Sequence, residues 1–167
     1  LEAVPYWPTP WVLLSAASAS PVISSVESDN FAMCHGLVRR LYDLGHRRLA
    51  LVYPPNGLET LYSTRERVRG FQHAAQALGL GTDAHAVGQD ALECLLAGAR
   101  PPTALVLAVG PDQYPRLFGL LARRALAIPA DISVLGYDAA GMELADGRRL
   151  AAVDQPFERV ATEAAHH

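Results

Sequence analysis

The stretch that most constrains what this chain can fold into is Ala130-Asp131-Ile132-Ser133-Val134-Leu135-Gly136-Tyr137-Asp138. Ile132 to Leu135 is a short run rich in β-branched and apolar residues, entered from Pro129 and left through Gly136. A strand buried on both faces of a parallel sheet reads this way. The segment ends on a carboxylate. In open α/β sheets ligands lie beyond the carboxyl ends of the strands, so Asp138 is placed to accept hydrogen bonds in that crevice. The plainer reading of Asp138, as a capping or turn residue, stands until its context is known.

That context is an alternation of strands and helices. Leu49-Ala50-Leu51-Val52-Tyr53 and Thr103 to Val109 predict two more buried strands. The first opens a loop at Pro54-Pro55-Asn56-Gly57, and the second follows Pro101-Pro102. Trp11-Val12-Leu13-Leu14 predicts a short strand running into the small-residue loop Ser15 to Ser20, and Pro21 to Val26 predicts another. Ala84 to Val87 and Leu150 to Val153 complete the set, while the proline-rich Leu1 to Pro10 is expected to be extended or irregular. Between the strands, Phe31, Cys34, Val38 and Leu41 fall at steps of three and four, with Asp29 or Ser28 to cap the helix and Gly45-His46 to end it. A second helix is expected over Ser63 to Leu78, with Val68, Phe71, Ala75 and Leu78 on one face, and a short one over Ala91 to Ala97. Gly110-Pro111-Asp112 starts a third long helix reaching about Ala125, with proline where its missing N–H costs nothing. The order predicts an α/β fold: a doubly wound parallel sheet with helices on both faces.

The helix from Asp112 carries Tyr114, Leu117, Phe118, Leu120, Leu121, Ala122 and Ala125, a wider apolar surface than one sheet face needs. A subunit contact is one reading and simple exposure the other. Gly141 to Arg149 is expected to be a polar loop.

Half of the 167 residues are hydrophobic and 19% are charged, enough for one domain with a real core. The net charge of −3 gives no general attraction to a phosphate backbone. The pairs Arg39-Arg40, Arg47-Arg48, Arg123-Arg124 and Arg148-Arg149 are scattered between elements, so this chain alone is not expected to bind DNA. Cys34 and Cys94 fall in predicted helices without metal-site spacing and are expected to be buried reduced thiols in a cytoplasmic protein. No apolar run reaches the roughly 18 residues that span a bilayer, and Leu1 to Ser20 lacks the basic start of a signal peptide. His166 and His167 are expected to be the remains of a tag.

Catalytic and cofactor signatures are sparse. Gly79-Leu80-Gly81-Thr82-Asp83-Ala84 matches a dinucleotide fingerprint in form, but it follows a helix instead of opening one and reads as a C-cap and turn. No G-x-S-x-G nucleophile elbow is present. His35, His46, His73 and His85 are expected in helices, at a helix end and in a loop, without metal-ligand spacing. No cofactor, no metal and no enzymatic activity are expected.

Six pieces carry a resemblance. In order they are Val26-x-x-Asp29-Asn30, Leu44-Gly45-His46-Arg47-Arg48-Leu49-Ala50, Arg67-x-x-Gly70-Phe71, Arg100-Pro101-Pro102-Thr103-Ala104, Ile128 to Asp138, and Leu150-x-x-Val153-x-Gln155-Pro156. The stretch from about Trp11 to Gln155 resembles the effector-binding domain of LacI/GalR transcriptional regulators. The resemblance implies a bilobed fold like that of periplasmic sugar-binding proteins, with a small-molecule effector between two lobes and an amino-terminal headpiece that reads DNA. It implies that residues 1–21 are a remnant of the amino-side lobe and crossover, 22–155 the carboxyl-side lobe, and 156–167 a return crossover with the tag remnant. The chain is thus expected to be one lobe of a periplasmic-binding-protein-like domain, and a homodimer without membrane contact. Arg67 is implied as donor to the hydroxyls or carboxylate of a sugar or nucleoside, Asp138 as acceptor, and Ser63, Gln155 and Ser15 as weaker contact positions. Gly110-Pro111-Asp112 stands where the family commonly has Asn-Asp, Ser15 where it commonly has Asp, and Ala151-Ala152 where it has threonines. A periplasmic-type sugar receptor of the same fold is the alternative, and an α/β enzyme a more distant one.

Overall fold

A computed structural model of the chain describes residues 11–17, 23–55 and 61–166. The irregular start expected before Trp11, part of the Ser15 to Ser20 loop, the first residues of the Pro21 strand, the Asn56-Gly57 loop and His167 lie outside the described residues. The described residues fall into two compact units, one up to Ser28 and from Pro156, the other from Asp29 to Gln155.

In the first unit β1 (Val12–Leu14) and β2 (Ser24–Val26) pair in parallel, Val12 opposite Ser24 and Leu14 opposite Val26. The Ser15 N–H extends the pairing to the Val26 carbonyl at 2.9 Å. A helix over Phe157–Ala165 packs against both strands. This pairing lies within the first unit. Residues 157–165 form a helix that a reading of this end as crossover and tag did not expect, and His166 lies at its C-cap.

The second unit holds α1 (Asn30–Asp43), β3 (Leu49–Tyr53), α2 (Tyr62–Ala77), β4 (Ala84–Gly88), α3 (Leu92–Ala97), β5 (Ala104–Leu107), α4 (Tyr114–Arg123), β6 (Ser133–Tyr137) and β7 (Ala151–Val153). Its sheet runs in the order β4-β3-β5-β6-β7 with every neighbouring pair parallel. The strands read as unbroken apolar runs because alternate residues enter opposite cores. Leu49, Leu51, Ala104, Val106 and Tyr137 pack under α1 and α2, while Ala50, Val52, Leu105, Leu107 and Val134 pack under α3 and α4. Doubly wound topology follows from that division.

The local signals act as their chemistry dictates. Asp29 Oδ1 accepts the Ala32 N–H at 2.8 Å and caps α1. Gly79, at φ 67°, ends α2 while the Leu80 N–H returns to the Ala75 carbonyl at 2.9 Å. Gly70 marks the crossing of α1 and α2, where a Cβ would collide with the Phe31 carbonyl oxygen. This explains the glycine in Arg67-x-x-Gly70-Phe71.

Several expectations change. Strand β6 continues through Gly136 and Tyr137, since Tyr137 pairs with Val153 of β7, so the strand does not end at Gly136. The third long helix starts as a 3-10 turn at Pro111–Gln113, and α4 stops at Arg123. Tyr114, Leu117, Leu120 and Leu121 are all buried in the α3/α4 core, which absorbs most of the wide stripe. Phe118 is half-buried and Ala122 exposed. His85 lies in β4, not in a loop. Cys34 is buried but Cys94 is exposed, because position 94 falls on the outer side of a six-residue helix.

Candidate functional site

Arg67 lies in the second turn of α2 and is only 8% exposed. Its Nε donates to Asn30 Oδ1 at 2.8 Å, and its guanidinium carbon stands 4.3 Å from the centre of the Tyr137 ring. An amide oxygen and an aromatic face thus stabilise the buried cation. Among the described residues Arg67 has no carboxylate partner, and its terminal nitrogens have no hydrogen-bond acceptor. A planar fork held at its inner nitrogen presents its outer edge as a preorganised donor pair.

Tyr137, completely buried, joins Arg67 to Asp138. Its hydroxyl meets the Cys34 thiol, with no oxygen or nitrogen partner among the described residues. Burial pushes the Cys34 thiol up to about 12, against the opposing pull of Tyr137, the Arg67 charge and a backbone bond from Phe71. Burial also raises the Tyr137 phenol, with Cys34 adding to the effect. Both groups stay neutral near pH 7 and serve as packing beneath the arginine.

Asp138 is the first residue past β6 and adopts φ 50°, in the left-handed region. Its N–H donates to the Val153 carbonyl at 2.9 Å. Its Oδ1 accepts the Gln155 N–H at 2.9 Å and its Oδ2 accepts Gln155 Nε2 at 2.7 Å. Gln155 therefore braces Asp138 with its backbone N–H and one of its two side-chain N–H groups. Each carboxylate oxygen keeps a further lone pair.

Ser63, one helical turn before Arg67, is half-buried and has no hydrogen-bond partner among the described residues. Arg67, Ser63, Asp138 and Gln155 belong to one unit. Ser15 belongs to the other, with φ 55° at the end of β1.

Sequence reasoning passed over Asn30, Tyr137 and Tyr114. Asn30 stood in the Val26-x-x-Asp29-Asn30 signature, but nothing in its spacing tells that it receives Arg67 from a position 37 residues away. Among the described residues no three His, Cys, Asp or Glu side chains converge as a metal site, and no helix is long and apolar enough to cross a membrane.

A family model described as periplasmic binding protein-like domain matches residues 38–167. The chain belongs to this family. Its periplasmic-binding-protein-like domain is of the kind found in LacI-type regulators. The HTH-type transcriptional repressor CytR of Escherichia coli (strain K12) is 24% identical over 169 aligned positions, covering 93% of this chain and 47% of that protein. The "Probable opine utilization operon repressor" of Rhizobium rhizogenes is 33% identical over 151 positions, 81% of this chain and 75% of that protein. A crystal structure of a LacI transcriptional regulator from a Rhodococcus species superposes with a TM-score of 0.80 at 26% identity, covering 94% of this chain and 60% of that one. The chain spans about half the length of the E. coli repressor. These relatives are transcriptional regulators, not enzymes.

Proposed function

We propose that this chain is the effector-sensing and dimerising part of a LacI-type transcriptional regulator. It binds a small polyol, a sugar or a nucleoside, which controls DNA binding by a headpiece outside this sequence. The observation that carries the reading is Arg67: a buried guanidinium with no carboxylate partner among the described residues, held at Nε by Asn30 and set beside the Tyr137-Asp138 strand end. A donor fork and a braced carboxylate at the carboxyl edge of a parallel sheet suit vicinal hydroxyls, which donate and accept at once. Ser63 adds a hydroxyl on the same helix. The protein works in the cytoplasm, where its DNA target lies.

Calorimetric titration with a panel of sugars and nucleosides, starting with D-ribose, tests the reading. A saturable heat that Arg67→Ala and Asp138→Asn each weaken by about 1 to 3 kcal/mol supports it. Binding that is indifferent to both substitutions sinks it.

A further inference from the structure

Tyr114 opens α4 and is completely buried. Its hydroxyl lies where β5 and β6 stop pairing. Their last rung joins Leu107 to Gly136, and the next β5 residue, Ala108, has its N–H on the Val52 carbonyl of β3 at 2.8 Å. Tyr137 has no register partner in β5 and pairs only with Val153 of β7. Tyr114 meets both polar groups of the Tyr137 backbone: the Tyr137 N–H donates to its Oη at 3.0 Å, and its O–H lies 2.8 Å from the Tyr137 carbonyl and 3.2 Å from that of Leu107. One hydroxyl can accept the amide while donating its single proton toward the nearer carbonyl, so it replaces a missing rung of the ladder. Burial pushes this phenol up to about 12, which keeps that proton in place.

Gly136 makes room for the arrangement. A Cβ there would stand 2.9 Å from the Tyr114 oxygen and 3.0 Å from the Ala139 Cβ. The next residue after Tyr137 is Asp138, whose φ of 50° lies in the left-handed region, at a cost that Asp bears better than most non-glycine residues. It is flanked by the Tyr114 rung on one side of the strand end and the Asp138-to-Val153 bond to β7 on the other.

We propose that Tyr114 is a positioning residue of the effector site, its hydroxyl supplying the terminal rung of β6 that holds Asp138 in its left-handed conformation and sets the direction of its carboxylate. The inference rests on the reading of Asp138 as an effector contact, but the geometry it asserts can be measured without an effector.

Amide hydrogen exchange by NMR on the full chain, Tyr114→Phe and Leu117→Ala tests it, the last being a core control on the same helix. In Tyr114→Phe the Tyr137 and Asp138 amides should exchange at least about tenfold faster, because a buried rung has lost its partner. The Gln155 side-chain amide resonances should shift, and the β3 and β4 amides should keep their protection. Leu117→Ala should lower protection across the sheet without singling out Tyr137. Gly136→Ala, which displaces the hydroxyl without deleting it, should give the same local signature as Tyr114→Phe. Native exchange at Tyr137 and Asp138 in either Tyr114→Phe or Gly136→Ala overturns the proposal, and so does a uniform loss that matches Leu117→Ala. A parent chain that gives no heat with D-ribose or any other polyol counts against the effector reading and leaves the exchange result to decide the role of Tyr114.

Discussion

Arg67 carries its charge where charges are costly, 8% exposed between two helices and a strand. Its stabilisation comes from one amide oxygen and one aromatic face, both weaker partners than a carboxylate. That leaves capacity for a ligand, and it also makes the geometry of the fork matter more than its charge. Arg67→Lys should therefore lose nearly as much effector affinity as Arg67→Ala, about 1 to 3 kcal/mol, because an ammonium cannot bond Asn30 and a ligand in one plane. Calorimetry on the two variants checks this, and near-native affinity in Arg67→Lys would show that only charge counts. A second residue ties stability to pH. His46 Nδ1 lies 3.0 Å from the Thr103 hydroxyl, and burial lowers the pKa of the ring. A histidine whose folded pKa is depressed binds its proton more readily when unfolded. Its contribution is present above the unfolded value near 6.5 and lost as pH falls below it. Urea unfolding at pH 7.5 and 5.0 should show a drop in stability on acidification that is smaller in His46→Gln; equal drops in the two chains would remove His46 as a cause.

At the scale of elements, α1 and α2 pack directly against each other, and Gly70 permits their close approach. Replacing Gly70 with alanine gains up to about 1 kcal/mol of helix propensity. It also drives a methyl into the Phe31 backbone carbonyl, which cannot rotate away, and overpacking of this kind costs about 1 to 3 kcal/mol. The clash should win, and Gly70→Ala should lower the denaturant midpoint; an unchanged or raised midpoint would mean that the helices separate freely. The same elements show what a sequence can tell. Three buried strands, two long helices and their caps were legible, because apolar periodicity and capping chemistry are local. The resemblance pointed to Arg67 and Asp138. The full length of β6 was not legible, since Gly136 looks like a terminator until Tyr137 is seen pairing with Val153. Nor were Asn30 and Tyr114, whose bonds join positions 37 and 23 residues apart. The bracing of Asp138 by Gln155 was not legible either, because it depends on a turn whose φ no local signal announces.

For the whole molecule the apolar surface beside α4 bears on assembly. The stripe on α4 is mostly spent on the core, and what remains is a hollow of about 310 Å³ with Phe118, Ala122, Leu126, Ile128 and Leu144 on its walls. Leu144 belongs to the loop before β7, and Arg148 at its rim is tied to Asp146 and to the Ile128 carbonyl. The Arg148 bond holds the Asp146 carboxyl below its ordinary range, and the Ile128 bond ties the loop to the segment between α4 and β6. An apolar hollow beside a half-buried aromatic ring is suited to an isologous contact, in which each copy presents the same patch to the other across a two-fold axis. The chain should therefore be a dimer at tens of micromolar by light scattering. Leu144→Asp puts an unpaired carboxylate at the centre of the contact but near the surface of the free subunit. It should yield monomers with native circular dichroism and an unfolding midpoint no longer dependent on protein concentration. A parent chain already monomeric at that concentration would refute the two-fold contact. A Leu144→Asp chain that remains dimeric would move the interface to another face of the molecule.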